Sequence, residues 1–245
     1  MIRQLGDGAW HVSADPLRMP GGVWMPVAST VFRLPDQTLA IYSPVRFDDA
    51  EVATLDGLGR VAYVIVPNAL HHLFAMEASA RWPAARVLAA SAARAKQPSL
   101  RVDHELGAPV AAWRGELELE HVDGAPKLDE YVAFHRPSGT LACADLLFRI
   151  TTPRNLRTRM VLAVMGVGGG QLAQSRAWRF ACRDPEAARS AVARILAWPI
   201  ERVAPCHGEP LDIDAATLAP MLRRLVGRLP LQLASTEARR GAPLG

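Results

Sequence analysis

Six apolar residues in unbroken succession, Val61-Ala62-Tyr63-Val64-Ile65-Val66, run into Pro67-Asn68 and then into an adjacent histidine pair, His71 and His72. A run without polar alternation reads as a strand buried on both faces, and that requires a sheet covered on each side. Two later fragments share this design. Thr140-Leu141-Ala142-Cys143-Ala144 ends in Asp145, and Arg202-Val203-Ala204-Pro205-Cys206 ends in His207-Gly208. Each places a potential metal donor where a buried strand emerges into a loop, the place where layered α/β proteins collect their chemistry. Three imidazoles and one carboxylate form a donor set that suits zinc, and also iron(II) or manganese.

Around these fragments the chain supplies strands first and helices later. Ser29 to Leu34 and Leu39 to Ser43, separated by Pro35-Asp36-Gln37, predict a hairpin. Asp48 with Glu51 three residues on predicts a capped helix, which Gly57 and Gly59 end. A helix is expected from His72 to Trp82, a strand over Arg86 to Ala90 and a short helix over Ala92 to Lys96, the rhythm of a βαβ unit. Glu116 to Val122 alternates acidic and apolar residues. Tyr131 to His135 and Thr140 to Ala144 flank a turn, Arg136-Pro137-Ser138-Gly139. Helices are expected over Leu156 to Met165, from the Asp184-Pro185-Glu186 cap to Trp198, and over Ala215 to Arg228.

With its elements in this order, the chain resembles the metallo-β-lactamase-like superfamily, whose first motif, His-x-His-x-Asp-His, follows a buried strand. Laid behind Val66, the six motif positions fall on Pro67, Asn68, Ala69, Leu70, His71 and His72. Pro67 and Ala69 thus replace the two leading histidines, His71 replaces the Asp, and His72 is the last His. Asp145 falls on the superfamily's lone bridging Asp, and His207 on its closing His. The intermediate Gly-His would lie at Gly124-Ala125 and a further Asp near Tyr42, and neither donor is present. A divergent branch of the superfamily has a similar adjacent histidine pair.

The resemblance implies an α+β fold, a four-layer αββα sandwich, as a single domain over residues 1–232 with a flexible tail over 233–245. It implies one divalent ion, zinc foremost and iron or manganese as alternatives, held by His71, His72, Asp145 and His207. On that reading alanine at His72 or at His207 abolishes metal retention. The implied function is a mononuclear metal-dependent hydrolase of a small-molecule ester, lactone, thioester or phosphodiester, with Asp145 also orienting the attacking water. The alternative is a catalytically degenerate metal-binding or ligand-binding scaffold, because four protein donors close a tetrahedron and leave no position for water.

Trp24, on an early Pro/Gly-rich loop, and Arg149 and Arg154, close behind Asp145, are candidate substrate contacts; at helical spacing Arg154 and Arg157 share a face. His11, His104 and His135 read as surface residues, His121 as an exposed strand residue, and Glu130 as a solvated acid at a strand start.

A net charge of +4 without a block of like charge gives no nucleic-acid tail. The longest apolar stretch, Met160 to Val167, is far short of the roughly 20 residues that span a bilayer. The N-terminus lacks a signal-peptide pattern. Cys143, Cys182 and Cys206 form no spaced pairs and read as reduced core thiols. A cytoplasmic protein is expected, with a small-molecule substrate and with neither nucleic acid nor membrane as partner. The oligomeric state is not legible.

Overall fold

The computed structural model describes residues 1–227; the tail expected over 233–245 lies outside them. Strands β1 (Ile2–Gly6) and β2 (Ala9–Ser13) are followed by a small hairpin, β3 (Leu17–Met19) and β4 (Val23–Met25). Then come β5 (Ala28–Arg33), β6 (Leu39–Tyr42), α1 (Asp49–Leu58), β7 (Val61–Val66), α2 (Ala75–Arg81), β8 (Arg86–Ala89), α3 (Ser91–Lys96) and β9 (His104–Glu105). The second half contains β10 (Leu117–Val122), β11 (Glu130–His135), β12 (Thr140–Cys143), α4 (Leu156–Met165), α5 (Arg176–Ala181), α6 (Pro185–Ile195), β13 (Arg202–Pro205), β14 (Leu211–Asp212) and α7 (Ala215–Gly227).

Beside the two-stranded β3-β4 hairpin, two larger sheets result among the described residues, one ordered β1-β2-β5-β6-β7-β8-β9 and one ordered β10-β11-β12-β13-β14. The period-two rule explains how the second sheet is sandwiched. Val132 and Phe134 on β11, Leu141 and Cys143 on β12, and Val203 on β13 pack into one core with Val192 and Ile195 of α6 and Leu218 and Leu222 of α7. The intervening Ala133, Ala142 and Ala204 pack into the other core, with the first sheet. These alanines are in register across three strands. Their small side chains let the sheets approach, and the Tyr42 hydroxyl crosses the gap to donate to the Tyr131 carbonyl at 2.8 Å. Val52 and Leu55 of α1, Ala75 and Ala78 of α2, and Ala93 of α3 share the core with the first sheet. The layers are therefore helix, sheet, sheet, helix, the αββα sandwich implied by the sequence.

The Asp48 capping box forms: Asp48 accepts from the Glu51 N–H at 2.7 Å, and Glu51 returns a bond to the Asp48 N–H. Several expectations need correction. The helix expected from His72 starts at Ala75, because residues 71–74 form turns. The helix expected to reach Trp198 stops at Ile195. Arg154 precedes α4, whose cap is Asn155, so it shares no helical face with Arg157. His11 and His135 are buried, at 2% and 1% exposure, because their strands are covered on both faces. His135 bonds to the Ser138 hydroxyl and to the Arg33 carbonyl, and stacks on Phe32.

Candidate metal centre

Four strand exits meet at one point between the sheets. β6 and β7 run parallel, as do β12 and β13, so each pair leaves its sheet at the same end. Ser43 follows β6, Asn68 to His72 follow β7, Asp145 follows β12 and His207 follows β13. His71 Nε2 lies 3.3 Å from one Asp145 oxygen, and His207 Nε2 lies 3.4 Å from the other. One donor atom from each of His71, Asp145 and His207 lies within 4.8 Å of the others, the single such group among the described residues. The three side chains are only 9–12% exposed.

The surroundings fix their orientation. His207 Nδ1 lies 2.9 Å from the Pro26 carbonyl, which can only accept, so Nδ1 carries a proton and Nε2 faces the site. His71 Nδ1 meets the Ser43 hydroxyl at 2.6 Å. Ser43 holds a left-handed backbone, φ +56°, an uncommon and costly conformation for a residue with a Cβ. Buried Asn68 ties the parts together. Its Oδ1 accepts from the Leu70 and His71 N–H groups, and its Nδ2 donates to Asp145 at 2.7 Å. Buried Glu130 anchors the Asp145 turn from behind. Its Oε1 accepts from the N–H groups of Ala144, Asp145 and Leu146, each at 3.0 Å, and its Oε2 accepts from the Trp178 indole at 3.2 Å.

The charges are strongly coupled. Burial keeps His71 below the ordinary histidine value despite the facing carboxylate. For His207 burial pulls the same way, but Asp145 and the Pro26 carbonyl outweigh it and raise the value. Burial alone would raise Asp145; the two imidazoles reverse that and hold its carboxyl well below the usual carboxylate range. Burial, and then the charge of Asp145, push Glu130 up to about 8 against its N–H donors.

The donor set can hold an ion. Charge-assisted N–H···O⁻ bonds close to about 2.7–2.9 Å, shorter than the 3.3 and 3.4 Å found. Two ligands each about 2.0–2.1 Å from a tetrahedral zinc stand about 3.3 Å apart. Each imidazole also has its other nitrogen held by an oxygen, as metal-binding histidines do.

His72, expected as a fourth donor, stands outside the group of three. Its Nδ1 lies 2.9 Å from the Ala69 carbonyl, which leaves Nε2 as the acceptor. The ring lines a cavity of about 380 Å³ that also exposes His71, Asp145 and His207. The remaining lining is almost wholly apolar, including Leu17, Met25, Leu70, Phe74, Phe148 and Trp178. Trp24, Arg149 and Arg154 are not among the lining residues. The Arg154 guanidinium sits 4.0 Å over the Trp24 ring, and Arg149 donates to the Pro210 carbonyl. Glu130, expected in solvent, is fully buried, because three consecutive N–H groups and an indole N–H converge on its carboxylate. His121 is half-buried between Asp123 at 2.8 Å and Asp129 at 3.0 Å.

No protein-family model and no curated protein sequence matches the chain. Solved structures do. The metallo-β-lactamase DIM-1 exposed to ceftazidime aligns with a TM-score of 0.62 at 14% identity, over 93% of this chain and 96% of that one. A metallo-β-lactamase from Pontibacter korlensis gives 0.61 at 16% identity, over 93% and 99%. A metal-soaked Flv1 flavodiiron core from Synechocystis sp. PCC6803 gives 0.62 at 13% identity, over 93% and 60%. At such identities the likeness shows the fold alone, and it is the metallo-β-lactamase fold. Its exit loops carry one group of three possible metal donors among the described residues.

Proposed function

We propose that the protein is a mononuclear metal-dependent hydrolase whose ion is held by His71, Asp145 and His207. The observation that supports this most is the convergence of one donor atom from each of His71, Asp145 and His207 to within 4.8 Å of one another at adjoining strand exits. Two histidines and a carboxylate leave an open coordination position, as catalytic sites do. A divalent cation there, zinc foremost with iron or manganese as alternatives, supplies Lewis acidity to a carbonyl or phosphoryl oxygen and to water. The chain's own residues do the rest. Asn68 and Glu130 hold Asp145 in place. The apolar cavity binds and dehydrates the body of an ester, lactone, thioester or phosphodiester. His72, with Nδ1 on Ala69 and Nε2 as acceptor, takes up the proton released by the attacking water.

Elemental analysis after purification without added metal is expected to give about one ion per chain. His71→Ala and His207→Ala should reduce this below about a tenth, whereas His72→Ala should keep the ion and lose turnover on the substrate panel. Wild-type protein with less than about a tenth of an ion per chain would sink the proposal. The second reading, a degenerate scaffold, is supported by Pro67 and Ala69, which stand where the superfamily's first site has histidines. Full metal occupancy with no turnover on any of the four substrate classes would establish it instead.

A further inference from the structure

The segment from Leu146 to Arg183 contains seven arginines, Arg149, Arg154, Arg157, Arg159, Arg176, Arg179 and Arg183, and no Asp or Glu. It is +7 in a chain whose total is +4, so the remainder is −3. The adjoining hairpin, Leu17 to Met25, adds Arg18 and again no acid. The hairpin packs directly on α4, where the Trp24 N–H donates to the Thr158 hydroxyl at 3.0 Å. Arg157, Arg159, Arg176 and Arg179 have no ion-pair partner among the described residues.

The same surface exposes large apolar side chains. Helix α4 buries Thr158 and Leu162 but leaves Leu156, Met160, Val161 and Val164 in solvent, and α5 leaves Phe180 75% exposed. Met19, Leu70 and Leu73 are also exposed, and they line the cavity. Met165, adjacent to Val164, and Ala177 and Trp178 of α5 line it too. Among the described residues, eight of the ten exposed large hydrophobics thus lie on the cavity mouth or on the two helices that wall it, a concentration that marks a docking surface.

We propose that this face, α4 and α5 with their arginines, docks on an anionic lipid membrane beside the cavity mouth. The inference rests on the surface alone and is independent of the metal assignment. Charge complementarity selects the occupant. A second copy would set the four arginines of α4 and α5 against four more. A nucleic acid would satisfy the arginines but leave Met160, Val161 and Val164 against phosphate. A lipid surface takes both groups at once: aliphatic side chains enter the acyl boundary and guanidinium groups pair with headgroup phosphates. No helix among the described residues is long and apolar enough to span a bilayer, so docking is peripheral. The proposal revises the expectation, drawn from average charge, that a membrane is no partner: an overall charge of +4 conceals a one-sided distribution.

The test is sedimentation of the full chain with vesicles of phosphatidylcholine alone and of phosphatidylcholine containing about a third phosphatidylglycerol. Binding is expected to the anionic vesicles only and should fall steeply with salt. Each arginine removed should weaken partitioning about fivefold, so R157A/R159A should weaken it about 25-fold. M160S/V164S should weaken it at least ~10-fold by withdrawing apolar area. Arg86→Ala, an exposed arginine on β8, should change nothing. All of these positions are exposed, and an unchanged melting curve will show that the variants fold. The proposal is overturned by no binding, by equal binding to neutral vesicles, or by an Arg86→Ala effect equal to that of Arg157→Ala. It is equally overturned if the face instead binds duplex DNA with M160S/V164S as tight as wild type, or forms a dimer that V164S abolishes.

Discussion

Replacing Glu130 by glutamine tests whether one buried side chain holds the Asp145 turn. Oε1 accepts three backbone N–H groups at 3.0 Å and Oε2 accepts the Trp178 indole N–H at 3.2 Å. Alanine would orphan all four donors at about 1–3 kcal/mol each, a sum comparable to the whole stability of a domain, so it would report only unfolding. Glutamine is more informative. Its carbonyl oxygen can still take the three backbone donors. Its amide nitrogen would face the indole N–H, donor against donor. Oε2 keeps a lone pair for the indole whether Glu130 is protonated or not, so the mismatch with glutamine arises at either charge. The expected cost is about 1–3 kcal/mol, or a melting point lowered by about 3–10 °C for a chain of this size. Trp178→Phe should cost less in the Glu130→Gln background than in wild type, because it removes the opposed donor. Zinc affinity, read by chelator competition, should fall about 10- to 100-fold, as it does when an outer-shell partner is lost. A melting point within about 1 °C of wild type, with unchanged zinc affinity, would refute the reasoning.

Two further outcomes follow from geometry and titration. A Cβ on Gly208 would lie 1.9 Å from the Arg149 carbonyl oxygen, at φ +114°, so Gly208→Ala should destabilise the fold by about 3 kcal/mol or more and displace His207; a melting point close to wild type would contradict this. His121 is raised above its ordinary 6.5, first by its hydrogen bond to Asp129, with burial opposing. Its stabilisation is complete below 6.5 and is lost as pH rises through the folded value. Urea unfolding should therefore show stability falling by less than about 1 kcal/mol across that range for so exposed a pair, and His121→Gln should flatten the fall; an unchanged slope would exclude the assignment.

The sequence made the fold legible because its strongest signals lay in the middle of the sandwich. The unbroken run Val61 to Val66 became the fully buried β7, and the Arg136-Pro137-Ser138-Gly139 turn joined β11 to β12 as expected. Three of the four expected donors also converged, since each ended a buried strand and parallel pairing fixes where such strands stop. His72 did not join them, because a turn rather than a helix follows His71 and sends its Nδ1 to the Ala69 carbonyl. What remained hidden was the support. Asn68 occupies a motif position that specifies no residue, and Ser43 acts through a backbone angle that composition does not encode. Glu130 reads as a solvated acid because three N–H groups from the turn beyond the next strand are invisible to local pattern. His11 and His135 were misread for a related reason: alternation shows which residues share a face of a strand, but not that both faces are covered.

The oxygen that orients His207 belongs to Pro26, 181 residues away. The site therefore closes a very long loop, and such contacts form only after shorter-range structure has met their entropy cost. A chain emerging from the ribosome holds His71 and Asp145 well before His207 exists. On the proposed reading, ion capture would come after the strands have assembled; it would lock the finished molecule by mass action and leave the order of assembly to the sheets.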